Sequence, residues 1–175
     1  CIYCGATQKK QSRDETLETH AYQFIHNQIP ERIKDMKFDV IIGNPPYQLE
    51  DGGAKSSASP IYQRFVEQAQ KLNPRFLSMI IPARWYSGGK GLEKFRTQLS
   101  HDKRIRSLVD YFDSTECFPG VDISGGVCYF LWDRDNPGDC TVTSRFNGAE
   151  NIKTRKSLTE GQNIFIRFNE GLSNV

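Results

Sequence analysis

Short apolar runs that alternate with segments of helical periodicity constrain the fold of this chain more than any other feature. The runs cover residues 38–42, 76–81 and 105–112, and their length and β-branched side chains are typical of buried strands. A helix between two such strands returns the chain to the same end of a sheet. The alternation therefore predicts an α/β fold built on a doubly wound, mostly parallel sheet.

The helical segments are bounded by residues that start or stop helices. Apolar residues recur at helical spacing over residues 16–29, 61–72 and 92–99. A proline follows each of the first two patterns and cannot continue the hydrogen-bond ladder. Ser59 and Pro60 suit the N-cap and the first helical position of the second pattern. The sequence therefore predicts a helix over each pattern.

The pattern changes in the last third of the chain. Residues 127–132 and 141–146 read as strands, and the Asp-Asn-Pro-Gly segment at residues 135–138 between them has strong turn chemistry. This arrangement predicts an antiparallel hairpin that closes the sheet. Beyond Asn147 the sequence is polar, apart from an apolar cluster at residues 164–168 with no predicted role.

Composition limits the class of protein. A chain of 175 residues with 37% hydrophobic content suffices for one domain with a core. The formal net charge of +2 neither indicates nor excludes a nucleic-acid partner. No apolar stretch reaches the ~20 residues that span a bilayer, and no signal peptide opens the chain, which predicts a soluble, cytoplasmic protein. The five cysteines lack the spacing of a secreted disulfide scaffold, which predicts reduced thiols.

Asn44, Pro45, Pro46 and Tyr47 directly follow the first predicted strand. Open α/β sheets bind ligands at the carboxyl ends of their strands. Pro46 holds Pro45 in an extended conformation, and neither proline has an N–H, so the segment presents carbonyl acceptors. The side-chain carbonyl of Asn44 adds a second neutral acceptor. Two converging acceptors match a group with two N–H donors, such as a primary amine on a planar ring.

Adenine carries such an amine, which is a poor nucleophile because its lone pair is delocalised into the ring. Acceptors that bind both N–H groups in a tetrahedral arrangement free the lone pair to attack, and they stabilise the positive charge that grows on nitrogen. Tyr47 adds a π-face on which the base can stack, a contact worth about 1 to 3 kcal/mol. Asn44, Pro45, Pro46 and Tyr47 are therefore the predicted catalytic residues.

Residues 38–47, Phe-Asp-Val-Ile-Ile-Gly-Asn-Pro-Pro-Tyr, resemble the catalytic motif of the adenine-specific (N6) DNA methyltransferases of restriction-modification systems, in their fused type II or type III-like branch. The likeness continues through residues 81–91, 117–121 and 132–134, and it covers roughly residues 16–147. It implies a Rossmann-like methyltransferase fold, S-adenosylmethionine as methyl donor and double-stranded DNA as substrate. A restriction subunit or a fused nuclease is the further partner that it implies.

The same resemblance implies a role for each residue of the motif. Asn44 and Pro45 bind the adenine amine, Tyr47 stacks on one face of a base flipped out of the duplex, and Phe118 presses on the other face. Phe118 precedes a proline and a glycine. The alternative for Phe118 is a core position beneath a turn.

One element of the family pattern is absent. A glycine-rich cofactor motif should precede the catalytic motif, and nothing in residues 1–37 resembles it, so the cofactor-binding residues are unknown. The chain is therefore expected to be a fragment. Its parts are a terminal segment over residues 1–15, the catalytic half of the methyltransferase domain over residues 16–147, and a polar segment over residues 148–175 where a recognition region starts.

Two further groups of residues are candidates for binding. Arg84, Trp85 and Lys90 would bring cations and an aromatic ring to a DNA backbone, although loops of this composition are usually only solvated. Cys1 and Cys4 have the spacing of half a structural zinc knuckle, which needs two more ligands. Two ordinary terminal cysteines are the alternative.

Other functions fit the same residues. The segment from Asn44 to Tyr47 could be a tight turn without catalytic purpose, because Asn and Pro are common turn formers. The amine chemistry could instead act on RNA or on protein glutamine. In a different class, the chain could be a structural or DNA-binding zinc module with a degenerate catalytic loop. The DNA sequence that is recognised and the oligomeric state are not predicted.

Overall fold

The predicted alternation of strands and helices is present in a computed structural model, which describes residues 24–25, 33, 35–48, 59–87, 89, 91–159, 161 and 164–168. The elements are, in chain order, β1 (Val40–Gly43), α1 (Tyr62–Lys71), β2 (Phe76–Pro82), the 3₁₀ turn η1 (Ala83–Tyr86), α2 (Glu93–His101), β3 (Ile105–Tyr111), the 3₁₀ turn η2 (Ser114–Glu116), β4 (Val127–Asp133), β5 (Cys140–Phe146) and β6 (Ala149–Arg155).

All six strands belong to one sheet with the order β1-β2-β4-β3-β5-β6. β1 is parallel to β2, and β3 is parallel to β5. β4 is antiparallel to both of its neighbours, and β6 is antiparallel to β5. Four strands therefore run in one direction and two in the other. The predicted α/β class is confirmed, with a mixed sheet.

The hairpin predicted between residues 127–132 and residues 141–146 was wrong. β4 lies between β2 and β3 instead, where it forms hydrogen bonds along both of its edges. Cys128, Phe130 and Trp132 of β4 are all buried in this central position. The hairpin that does close the sheet joins β5 to β6 through Asn147 and Gly148, both with positive φ, as a two-residue hairpin turn requires.

Helix α1 begins two residues later than predicted. Ile61 occupies the N-cap position without a side-chain hydrogen bond, and Pro60 forms an isolated bridge with Gln48 instead of opening the helix. Of the first predicted helix, only Phe24 and Ile25 lie among the described residues; both are helical, and the Phe24 ring stacks 6.0 Å from that of Phe65. The third predicted helix is α2.

The main core packs against one face of the sheet. Leu77, Met79 and Ile81 of β2 lie opposite the buried residues of β4, and the rings of α1 and α2 cover them. On the other face Tyr129 and Leu131 are each 38% exposed. None of the helices in the described part of the chain is long and apolar enough to cross a membrane.

The segment after β5 belongs to the same core. β6 is hydrogen-bonded to β5, and Leu158 and Phe165 are buried with the core residues. The Arg155 guanidinium is also buried, and it donates hydrogen bonds to the carbonyls of Leu158 and Ile166. Described residues after residue 147 therefore pack with the strands before it, and the division of the chain at residue 147 and a recognition role for residues 148–175 stay predictions.

Candidate active site

Three segments meet at the edge of the sheet where β1, β2 and β3 end. Because these strands run in one direction, residues 44–48, 83–87 and 112–126 follow them at the same edge. β4 runs the opposite way and begins there. Open sheets bind their ligands at this edge. The topology therefore brings the predicted catalytic segment to the same side of the molecule as the loop that carries Phe118.

The catalytic segment is held by its own backbone rather than by the side chain of Asn44. Pro45 is buried, and the Tyr47 carbonyl accepts a hydrogen bond of 3.1 Å from the Ile61 amide at the start of α1. Asn44 is exposed, and its side chain forms no hydrogen bond with the described residues. The amide of Asn44 is thus available to a ligand at the end of a fixed backbone.

Tyr47 is half-buried, and its ring packs against the core. Its pKa is raised to about 12, mainly because burial disfavours the phenolate and secondarily because the thiols of Cys117 and Cys128 lie nearby. Its buried hydroxyl has no hydrogen-bond partner among the described residues. Tyr47 is therefore a neutral aromatic ring at neutral pH. Since Cys117 directly precedes Phe118, the loop after β3 lies beside this ring.

Phe118 sits on a loop with an ordered interior. Its amide donates a hydrogen bond of 2.7 Å to the Ser114 carbonyl, and its carbonyl accepts one of 3.0 Å from Val121. The buried Ser114 hydroxyl donates to the Val121 carbonyl at 2.8 Å and accepts from the Ile123 amide at 2.7 Å. Phe118 is only half-buried and is not part of the main core, which does not support the alternative of a core plug.

Two residues predicted to contact DNA, Arg84 and Trp85, differ in their exposure to solvent. Arg84 is exposed, and its Nε donates to the Ser124 carbonyl at 3.1 Å. Trp85 is 0% exposed, and its Nε1 lies 3.4 Å from Cys128 Sγ in the core. A ring with no accessible surface cannot stack on DNA, so the structure contradicts that role for Trp85. The Trp85 ring packs in the core instead, against the rings of Tyr86 and Phe95.

Three predicted residues, Lys90, Cys1 and Cys4, lie outside the described residues. Among the residues that the structure does describe, no group of three or more His, Cys, Asp or Glu side chains could hold a metal ion. The described structure thus offers no support for zinc.

A buried ion pair at the same edge was not predicted from the sequence. Asp110 of β3 is 0% exposed, and its two carboxylate oxygens each accept a hydrogen bond of 2.7 Å from the Arg167 guanidinium. The Tyr86 hydroxyl donates a third, at 3.2 Å. Burial raises the pKa of Asp110, and Arg167 opposes this effect. The sequence does contain one indication of this ion pair: Asp110 lies among apolar residues of a predicted strand, and a buried carboxylate requires a partner.

Two of the cavities that described residues line lie away from residues 44–47. The larger, about 700 Å³, lies between α1 and α2, with Lys71 and Lys94 among its polar lining. The smaller, about 240 Å³, borders Arg84 and Arg167. Both of these cavities therefore lie away from the catalytic segment.

Residues 2–118 match the family described as the Eco57I restriction-modification methylases. The chain belongs to this family. The chain is also 36% identical, over 95% of its length, to a Mycoplasma pneumoniae protein described as an "uncharacterized adenine-specific methylase". It spans 42% of the length of that relative. The predicted resemblance to adenine-specific restriction-modification methylases is thereby confirmed at the level of the family.

Solved structures share the fold of this methylase family member. The type IIG restriction endonuclease BpuSI superposes with a TM-score of 0.50 at 12% identity, covering 71% of this chain and 20% of that one. A type I restriction-modification methyltransferase subunit from Streptococcus thermophilus gives a TM-score of 0.47 at 12% identity, covering 85% of this chain and 33% of that one. At 12% identity the likeness to BpuSI bears on the fold alone.

Proposed function

We propose that the full-length protein transfers a methyl group from S-adenosylmethionine to the N6 amine of adenine in double-stranded DNA. The observation that carries this proposal is the segment from Asn44 to Tyr47 at the carboxyl end of β1. Its Asn44 side-chain amide forms no hydrogen bond with the described residues, and its tyrosine ring is half-buried. Membership of the restriction-modification methylase family supports the reaction class.

The amine is bound by two acceptors of this segment. The Asn44 side-chain carbonyl and the Pro45 backbone carbonyl each accept one N–H of the adenine amine. Holding both N–H groups draws the lone pair out of conjugation, and the two dipoles stabilise the positive charge that develops on nitrogen. The amine would attack the methyl carbon directly, without a covalent enzyme intermediate. The sulfur–methyl bond of the donor would break as the nitrogen–methyl bond forms, S-adenosylhomocysteine would leave, and the amine would then release one proton to water. Because Pro45 is buried, its carbonyl is fixed before the substrate binds, and only the exposed Asn44 side chain has to orient.

The base is bound between two aromatic rings in this proposal. Tyr47 contacts one face of the flipped adenine and Phe118 the other. Cys117, which directly precedes Phe118, contributes to the raised pKa of Tyr47, and this supports a position of the Phe118 loop beside the Tyr47 ring. Both rings are half-buried, so each keeps some surface that a base can contact.

S-adenosylmethionine is the methyl donor that the family implies. Neither of the two cavities described above borders Asn44 to Tyr47, and residues 1–37 carry no glycine-rich motif. We therefore assign no residue of this chain to the cofactor. The proposed partners are duplex DNA and a restriction subunit or fused nuclease, and the proposed location is the cytoplasm; the family's association with restriction supports these assignments.

A substrate panel tests the proposed function. The full-length protein is incubated with methyl-labelled S-adenosylmethionine and, separately, with duplex DNA, the same DNA fully methylated at adenine N6, RNA, and a glutamine-containing peptide. We expect label in unmodified duplex DNA alone, recovered as N6-methyladenine after digestion. Label in RNA or peptide would reassign the substrate. Label in the premethylated DNA at an undiminished level would exclude adenine N6 as the acceptor.

Base stacking gives a second measurable result. Truncation of Tyr47 or Phe118 to alanine in the full-length protein should weaken binding of an extruded base by about 1 to 3 kcal/mol, because each removes one stacking face. Fluorescence of 2-aminopurine at the target position reports how far the flipped base is stacked. Phe76→Ala is the matched control, since this ring is also half-buried but lies at the start of β2, at the opposite end of the sheet. If Phe118→Ala lowered only the melting temperature, Phe118 would be a packing residue.

A further inference from the structure

We propose that Arg167 is a positioning residue that ties both ends of the loop 112–126 to the buried carboxylate of Asp110 and thereby fixes the base-stacking ring of Phe118. This inference rests on the proposed function, because Phe118 stacks on a base only in that proposal. Its structural half, the fixing of the loop, stands on contacts that are independent of any substrate.

One guanidinium reaches both ends of the loop. The Nη1 of Arg167 donates to the Gly125 carbonyl at 2.9 Å, just before β4 begins. Its Nη2 donates to the Tyr111 carbonyl at 3.2 Å, just before the loop leaves β3. Its central carbon lies 3.9 Å from the ring centroid of Phe112, the first loop residue. Arg167 therefore holds the point where the loop starts and the point where it returns.

The anchor for this arginine is rigid. Asp110 is fully buried inside the sheet, and it accepts two parallel hydrogen bonds from the guanidinium. Such a bidentate pair fixes orientation as well as distance. The Tyr86 hydroxyl donates to the same carboxylate from the turn after β2. The position of Arg167 is therefore set by two strands that also end at the site.

The loop transmits this constraint to Phe118 through short steps. Ser114 closes a ring of hydrogen bonds with Val121 and Ile123, and its carbonyl accepts the Phe118 amide. The Gly126 amide then bonds to the Ile123 carbonyl at 2.8 Å. No residue of this ring is more than a few positions from the two ends held by Arg167. Loosening the ends therefore moves Ser114 and, with it, Phe118. A displacement of about 1 Å in an active site can cost on the order of 100-fold in rate.

Arg167→Lys tests the proposal in the full-length protein. The lysine keeps the positive charge opposite Asp110, but a single ammonium cannot reproduce the planar fork that contacts both loop ends. We expect amide hydrogen exchange at Phe118 and Ile123 to accelerate by roughly tenfold or more, while exchange in α2 stays within about twofold of the parent protein. We also expect kcat/KM to fall about 10- to 100-fold and the stacking signal of 2-aminopurine to weaken.

Arg104→Lys is the matched control. Arg104 also pairs with a carboxylate through two hydrogen bonds, to Asp102, and its guanidinium lies 4.5 Å over the Trp132 ring. It sits at the opposite end of β3, so its loss should leave loop exchange and kcat/KM within about twofold. Equal effects of the two substitutions would overturn the proposal, because they would reflect general destabilisation.

Two further variants keep the result interpretable. The double variant Asp110→Asn with Arg167→Met removes both charges, so it leaves no unpaired buried charge and should fold. It also removes the guanidinium, so we expect the same faster loop exchange as in Arg167→Lys. Parent-like exchange in this double variant would overturn the proposal. In a Phe118→Ala background, Arg167→Lys should cost less than about a further twofold in kcat/KM, since the ring it positions is gone. Fully additive losses would contradict the positioning role.

Failure of the two proposals is distinguishable. If the full-length protein methylates none of the offered substrates but Arg167→Lys still accelerates exchange at Phe118, the proposed function fails and the fixing of the loop stands. If duplex DNA is methylated normally and loop exchange is unchanged in Arg167→Lys, the positioning role is overturned and the proposed function stands.

Discussion

Replacement of Asn44 by alanine in the full-length protein should abolish DNA methylation, with kcat lowered by at least about 100-fold, as when one preorganised hydrogen-bond partner is removed from other active sites. The amine would retain the Pro45 carbonyl as its single acceptor, so its lone pair would stay conjugated with the ring. Asn44 is exposed and bonds to no described side chain, so the melting temperature should not change. Single-turnover transfer of labelled methyl groups measures the effect.

Two variants control this experiment. Asn136→Ala removes an exposed asparagine from the turn after β4, at the other end of the sheet, and it should leave turnover unchanged. Asn44→Asp keeps an acceptor oxygen at the same position and should retain more activity than the alanine variant. Near-normal turnover of Asn44→Ala would remove Asn44 from the proposed mechanism, whatever the fate of the other residues.

Replacement of Gly126 by alanine should lower the free energy of unfolding by about 3 kcal/mol or more. Gly126 has φ of +81°, and a Cβ built there would lie 2.0 Å from the Tyr111 carbonyl oxygen and 2.7 Å from that of Phe112. Both contacts are with backbone, which cannot rotate away. The end of β3 and the start of β4 would have to separate. Urea denaturation with a constant m-value measures this loss.

Gly91→Ala separates the steric effect from the conformational one. Gly91 has the same φ of +81°, but no atom lies within 4 Å of an added Cβ. This substitution therefore carries the left-handed strain alone, about 1 kcal/mol. A similar loss for both glycines would contradict the close approach of β3 and β4 at Gly126.

The local part of the site could be predicted from the sequence. A β-branched run that stops at Gly43 and two prolines fixes a strand end within a few residues, and the acceptor chemistry of Asn44 and Pro45 belongs to the residues themselves. The approach of the Phe118 loop to Tyr47 agrees with the resemblance. Its proposed function still rests on experiments with substrate.

The strand order could not be predicted from local patterns. Periodicity indicates that residues 127–132 form a strand, but it does not say which neighbours that strand pairs with. The Asp-Asn-Pro-Gly segment favoured a hairpin, whereas the Asn147-Gly148 pair is the stronger hairpin signal and forms the turn that is observed. Packing of the buried residues of β4 decided its central position.

The ion pair of Asp110 and Arg167 was unpredictable for a different reason. The aspartate stands out as a charge within an apolar strand, yet its partner lies 57 residues later in a segment without periodicity. Only the complete fold brings them together. A side chain with no local pattern can thus be decisive for the geometry of the site.

The position of β4 also bears on how the chain folds during synthesis. β2 and β3 are made first, but in the finished sheet β4 separates them and bonds to both. Until residue 133 leaves the ribosome, the facing edges of these two strands have no partner in the nascent chain. At about 5 to 20 residues per second this interval lasts on the order of seconds. During that time the unpaired edges are the part of the polypeptide most prone to aggregate and to be bound by a chaperone.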